Sequence, residues 1–168
     1  RSLSTLNVIL NQGLSAASRI LSVVDTERFI KNENDAKDLS IGKANIEFKD
    51  VIFSYNQSNG EVLKKVNLIF EGGKMTSLVG HSGSGKSTIL NLIPRFYDCS
   101  VGDIKIDNQS IYNSTIESLR KSISLVSQET TLFDDTIKNN IKYANLDATD
   151  EEVLLAAKLS YCDEFISK

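Results

Sequence analysis

The chain has 168 residues, 22 acidic against 19 basic side chains, a net charge of −3 and 40% apolar content. That length and composition allow one domain with a real hydrophobic core, and they exclude disordered, collagen-like and disulfide-rich classes. A pI near 5.2 without any basic cluster argues against a nucleic-acid partner, because neutralising phosphates needs several Lys or Arg on one face.

Cys99 and Cys162 lie far apart and outside any CxxC spacing, so they read as free thiols rather than zinc ligands or a disulfide. No stretch approaches the roughly 20 apolar residues of a membrane span, and no signal-peptide pattern opens the chain. The chain starts on Arg1 rather than Met and stops just after Phe165 and Ile166, so both ends read as cut.

From Leu3 to Val24, the residues Leu3, Leu6, Leu10, Leu14, Ala17, Leu21 and Val24 recur every three or four positions and predict an amphipathic helix. A coiled-coil seam, docking on a larger helical assembly and ordinary packing are all open for its stripe. Lys, Asn, Asp and Glu dominate from Arg28 to Asn45, which reads as a solvated linker. The expected division is therefore 1–27, 28–45 and 46–168.

Ile46 and Phe48 alternate, then Val51, Phe53 and Tyr55 alternate in the opposite parity, which predicts a strand bulged near Lys49 and Asp50. Val62, Lys64, Val66, Leu68 and Phe70 are expected on one face of a second strand. Gly72 and Gly73 turn into a short apolar strand, Lys74 to Val79, that ends at Gly80. Beyond the run GHSGSGKST, Ile89, Leu90, Ile93 and Phe96 stand at helical spacing, with Pro94 near the helix end.

Asp103 to Ile106 and the residues after Asp107-Asn108 predict a small hairpin. Ser114 with Glu117 reads as a capping box for a helix through Lys121, and Thr149 with Glu152 as another, for a helix carrying Val153, Ala156, Ala157 and Leu159. Between them Ile123 to Val126 predicts a brief strand delivering Ser127 and Gln128. Alternating strands and helices give an α/β class.

Gly80, Gly85, Lys86 and Ser87 form the pattern G-x-x-x-x-G-K-[ST], with Ser82, Gly83 and Ser84 inside it and Thr88 directly after. Average residue usage gives this pattern by chance in under about 1% of chains of such length. Its place between an apolar strand and a helix is the setting of a working phosphate loop. Glycines let the backbone turn tightly so that successive N–H groups share one concavity, where the helix N-terminus adds positive potential. Lys86 adds a charge for the β- and γ-phosphates, the Ser87 hydroxyl suits a hard Mg²⁺ ion, and Thr88 is placed to help hold the α-phosphate. His81, the only histidine, is expected to supply its backbone rather than a catalytic ring.

With these residues in view, the chain resembles the nucleotide-binding domain of ABC transporters, of the exporter type related to lipid A and multidrug exporters. IEFKDVIFSY, VGHSGSGKST, PRFYDCSVGDIKID, LRKSISLVSQETTLFDDTIKNNI and the closing FI carry the resemblance. It implies a P-loop NTPase core with an antiparallel β subdomain, incomplete at its C-terminus and preceded by the amphipathic helix. Tyr55 is then similar to the aromatic that stacks on adenine, and Gln128 to the Q-loop glutamine that contacts Mg²⁺ alongside Ser87. Thr131, Leu132, Phe133 and Ile137 resemble the surface that receives coupling helices, and the N-terminal helix resembles the cytoplasmic end of the last permease helix.

ATP and Mg²⁺ are the implied cofactors. A permease transmembrane domain and a second nucleotide-binding domain, in a homodimer, are the implied partners, at the cytoplasmic face of the inner membrane. The family's Leu-Ser-Gly-Gly-Gln signature, its apolar strand ending in Asp, its catalytic Glu and its switch His do not occur in this sequence, and Glu129 matches the wrong segment to replace the base. Accordingly no catalytic residue is assigned, and weak MgATP binding without substantial hydrolysis is expected of the chain alone. A non-catalytic nucleotide-binding or subunit-interaction fragment is the alternative. An importer ATPase subunit is disfavoured by the N-terminal helix. After helix and linker about 120 residues remain, against the roughly 200 to 250 a large α/β domain can require.

Overall fold

Apolar alternation on three neighbouring strands builds the sheet that carries the core of the first unit. The computed structural model describes residues 2–25, 30–56, 60–128 and 131–166. It divides into two compact units, 1–124 and 125–168. Glu129 lies outside the described residues.

In the first unit the predicted N-terminal helix forms as α1 (Ser2–Val24). Its stripe residues Leu6, Leu10, Leu14, Leu21 and Val24 are exposed. Among the described residues no helix is long and apolar enough to cross a membrane.

Strands β1 (Ile46–Phe53), β2 (Leu63–Phe70), β3 (Val101–Ile106) and β4 (Gln109–Ser110) form one antiparallel sheet in the order β2-β1-β3-β4. The expected bulge in β1 falls on Asp50, at φ +50°. There Asp50 N–H donates to Asn67 Oδ1 and Asn67 Nδ2 donates back to Asp50 Oδ1, both at 2.9 Å. Gly102 on β3 crosses this bulge at φ +96°, and a Cβ there would lie 2.5 Å from the carbonyl oxygens of both Lys49 and Asp50. Only glycine lets the strands close at this point.

The expected face of the second strand needs correcting. Lys65 sits at φ +53°, a second irregularity that reverses the parity of β2. Val66, Leu68 and Phe70 turn inward as predicted, but Leu63 is the buried residue at the start and Lys64 is exposed. Each extra residue in a strand moves everything before it to the other face.

Helix α2 (Lys86–Leu92) follows the glycine-rich run and lays Ile89 and Leu92 on the sheet. With Phe48, Val51, Phe53, Leu63, Ile104, Ile106, Ile111 and Leu119 they form the buried core. Each such side chain contributes roughly 1.5–3 kcal/mol of burial. The helix ends at Ile93, just before Pro94. Asp107 and Asn108, at φ +48° and +64°, make the tight turn that joins β3 to β4. Helix α3 (Ile116–Lys121) follows, but its cap is Thr115, whose Oγ1 accepts from Ser118 N–H, and not Ser114. Ser114 is buried and donates its hydroxyl to Ser110 O instead. A buried hydroxyl needs a partner, and Ser110 O, which also accepts from Asn113 N–H, supplies it, so the cap shifts by one residue.

Two expected strands do not form. Lys74–Val79 and Ile123–Val126 run without a sheet partner among the described residues, and Met75, Val79 and Val126 are 97%, 94% and 93% exposed. A strand apolar on both faces belongs at the centre of a parallel sheet, where neighbours satisfy its backbone on each side. Here the described strands are all antiparallel, which is the antiparallel β subdomain expected from the sequence, while the two expected core strands do not pair among the described residues.

The polar stretch before β1 is largely exposed, yet it is tied down along its length. Lys37 bridges to Ser114 in parallel, and Leu39 N–H donates to Ser118 Oγ at 2.9 Å. Ser40 exchanges hydrogen bonds with the Gln109 side chain. Asp107 Oδ2 then accepts from the N–H groups of Gly42, Lys43 and Ala44, and its Oδ1 from Asn45, at 2.7–2.9 Å. These donors hold the carboxyl of Asp107 below its ordinary range.

The second unit holds α4 (Ile137–Lys142), α5 (Asp150–Leu159) and the short α6 (Asp163–Ile166). Both halves of the expected Thr149–Glu152 capping box are present. Val153 and Ala157 of α5 are buried and, with Ile137, Ile141 and Ile166, line an apolar cavity of about 230 Å³. The Asn140 side chain holds the preceding loop by accepting from Phe133 N–H and donating to the carbonyls of Phe133, Asp135 and Thr136.

Candidate nucleotide site

The loop from Gly80 to Thr88 takes its shape from Gly83 and Gly85, at φ +79° and +88°. Gly85 is the N-cap of α2 in a left-handed conformation, without a capping side chain. A Cβ at Gly85 would lie 2.7 Å from Leu63 Cδ2, so the core itself demands glycine there. A helix start leaves its first amides without carbonyl partners one turn back, and here no side chain takes them. They are left for an anion.

Lys86 folds over this loop. Its ammonium donates to the carbonyl oxygens of Gly80 at 3.0 Å and His81 at 2.7 Å, and to Ser84 Oγ at 3.3 Å. Ser84 N–H in turn donates to His81 O at 3.2 Å. His81 thus joins the loop's hydrogen bonding through its backbone carbonyl. Lys86 and Ser87 also line a cavity of about 540 Å³ whose other walls include Thr76, Leu78, Leu90 and Ile93. Ser82 and Ser87 both keep solvent access, so their hydroxyls are open to an incoming group.

Tyr55 stands beside the helix rather than the loop tip. Its hydroxyl pairs with Thr88 Oγ1 at 3.0 Å, and Thr88 is buried at 5% exposure. The first unit therefore brings together Tyr55, the glycine-rich loop, Lys86, Ser87 and Thr88. Gln128 belongs to the second unit and is exposed in a bend. Leu132, Phe133 and Ile137 are exposed in that unit too, with Phe133 packed on Tyr143 at a ring separation of 4.4 Å.

Two residues near the site escaped sequence reasoning. Arg95, buried and at φ +54°, clamps Asp98 with both arms of its guanidinium, at 2.7 and 3.1 Å. It also donates to Lys31 O at 3.2 Å and lies over the Tyr112 ring. The hydrogen bond with Asp98 keeps it firmly protonated. Next to it Tyr97 touches Tyr55, with ring centroids 5.1 Å apart. Neither has a spacing signal, since both act through contacts made only in the folded chain.

The antiparallel sheet and the glycine-rich, lysine-capped loop opening α2 define a nucleotide-binding domain. The profile of the ABC transporter family matches residues 63–166. The chain belongs to that family, whose nucleotide-binding domains have the P-loop NTPase fold. It is 46% identical over 168 residues to the ATP-dependent lipid A-core flippase of Legionella pneumophila (strain Paris), covering all of this chain and 28% of that protein. The flippase of the same name from Coxiella burnetii is 38% identical over 169 residues, again with 28% of its length covered. A solved bacterial Atm1-family ABC exporter with ATP bound is similar at a TM-score of 0.86 and 35% identity, over 94% of this chain and 27% of that one. The chain thus matches the ATP-binding part of ABC exporters and spans little more than a quarter of the length of these relatives.

Proposed function

We propose that this chain grips MgATP for an ABC exporter, and that the intact protein couples ATP binding and hydrolysis to export across a membrane. The observation that carries the reading is Lys86 held over a loop whose helix start has no capping side chain. Flippase relatives and an Atm1-family exporter match the same stretch, which fits a segment that handles ATP in exporters of different kinds.

Each residue has a role in this proposal. The amides of Gly80 to Thr88, with Ser82, Gly83 and Ser84 among them, cradle phosphate oxygens, and Lys86 turns from its loop carbonyls to the β- and γ-phosphates. The hydroxyl of Ser87 and the side-chain amide of Gln128 offer neutral oxygens to Mg²⁺, a hard ion that keeps several waters. Thr88 supports the α-phosphate, and Tyr55 presents its ring to adenine. Bound MgATP supplies the phosphoanhydride bond whose hydrolysis drives transport. Lacking a base of its own, the chain binds without sustained turnover.

Residues 1–27 continue from the last permease helix, 28–45 connect, and 46–168 form the N-terminal part of the nucleotide-binding domain. The exposed apolar face of α1 supports the first assignment. Exposed Leu132, Phe133 and Ile137 support docking of the permease at the cytoplasmic face of the inner membrane, and a second nucleotide-binding domain completes the site. Calorimetric titration with MgATP tests the reading. Binding that weakens at least about 10-fold in Lys86→Ala supports it, and binding that is absent or indifferent to Lys86 refutes it.

A further inference from the structure

Tyr55 is fixed on three sides. Its hydroxyl is hydrogen-bonded to Thr88 Oγ1 at 3.0 Å, on the helix that opens from the phosphate loop. One edge-to-face contact joins its ring to Phe53 at 4.9 Å and 83°, and another joins it to Tyr97 at 5.1 Å and 89°. Phe53 and Tyr97 touch each other as well, at 5.7 Å. Phe53 is a buried core residue of β1 and cannot yield. Tyr97 comes from a different part of the chain, two residues after the buried Arg95, which is clamped to Asp98 and to Lys31 O.

Edge-to-face contacts orient a ring as well as attracting it, because the positive edge of one ring seeks the negative face of another. With the hydroxyl tethered and two such contacts made, the Tyr55 ring keeps one orientation without help from a ligand. A stacking residue already in its bound orientation loses less freedom on binding, which strengthens the complex. Tyr55 is 44% and Tyr97 41% exposed, so part of the Tyr55 ring stays open to a flat ligand while Tyr97 supports it from the side.

We propose that Tyr97 is a positioning residue for the nucleobase: it holds the Tyr55 ring in the orientation that stacks on the base and does not itself bind phosphate. This rests on the reading of Tyr55 as the base platform. It requires the aromatic ring of residue 97 but not its hydroxyl, which plays no part in the contact.

The test measures binding to the intact protein with two probes, MgATP and magnesium tripolyphosphate, the second carrying phosphates and no base. Tyr97→Ala should weaken MgATP binding about 3- to 10-fold and leave tripolyphosphate binding unchanged, whereas Tyr97→Phe should bind MgATP like the native protein. Tyr97→Leu, which keeps most of the volume, should behave like Tyr97→Ala and serves if the alanine variant fails to fold. Equal loss of both probes in the variants would mean that the ring only steadies the loop, and would overturn the proposal. Native MgATP affinity in Tyr97→Ala with weakened affinity in Tyr55→Ala overturns the proposal and leaves the base platform standing. Native affinity in Tyr55→Ala overturns both.

Discussion

The ammonium of Lys86 lies 2.7 Å from the carbonyl oxygen of His81, so the loop's own backbone holds the charge that a phosphate would claim. A phosphate arriving there replaces neutral acceptors with anionic ones, and hydrogen bonds between two charged groups are roughly twice as strong. Lys86→Ala should therefore weaken MgATP binding at least about 10-fold, corresponding to about 1.5–3 kcal/mol for a hydrogen bond to a charged group. Lys86→Arg should not restore it, because a planar fork cannot occupy the same tight turn. Titration calorimetry on both variants checks this.

Gly85 couples the phosphate loop to the core. Its φ of +88°, and the 2.7 Å that would separate an added Cβ from Leu63 Cδ2, make Gly85→Ala doubly unfavourable. We expect about 1–3 kcal/mol of destabilisation, from left-handed strain and overpacking together. Urea unfolding gives the value. Leu63→Ala empties part of the core and itself costs about 2–5 kcal/mol. Gly85→Ala should nonetheless cost less in that background than in the native chain, because the clash is gone while the strain at residue 85 stays.

Arg95 is expected to be a structural hub. Arg95→Ala leaves the Asp98 carboxylate and the carbonyl of Lys31 without their donor, and should cost about 2–4 kcal/mol, below the full value of a buried pair because Asp98 is partly exposed. Arg95→Lys should recover little, since one ammonium cannot span both carboxylate oxygens. Thermal and urea midpoints of the two variants decide the matter.

Asp107 sets a pH dependence. Its folded carboxyl titrates below the ordinary value of 3.8 because the amides of Asn45, Ala44, Gly42 and Lys43 donate to the charged form. A group lowered on folding adds stability that is fully present above its unfolded value and is lost as pH falls through the folded one. Acidification below pH 3.8 should thus lower the urea midpoint of the native chain, and Asp107→Asn should show a shallower acid limb. An unchanged limb would mean that the four amides do not govern the titration.

The phosphate loop was legible because its spacing is itself a backbone instruction: Gly83 and Gly85 permit the turns, Lys86 follows, and the helix begins at once. The Thr149–Glu152 box and the Asp107-Asn108 turn were legible for the same reason, since each is settled within four residues. The cap of α3 fell one residue away from its expected place because burial of Ser114 sent its hydroxyl to Ser110 O, a contact outside the local pattern. Lys65 reversed the parity of β2 for a similar reason: where a bulge falls depends on the partner strand as well as on the strand itself.

Length and charge alone are those of an ordinary globular domain, and residue order by itself determined the glycine turns and helix start at Gly80 to Thr88, which are local. Contacts between distant residues were decided only by the tertiary structure. It tied the polar stretch 42–45 to Asp107, brought Tyr97 against Tyr55, and left Lys74–Val79 without a partner strand among the described residues. The physical reason is the same throughout. A helix start or a tight turn satisfies its hydrogen bonds from its own neighbours, whereas a strand, a carboxylate nest or a pair of rings depends on groups that only folding brings near.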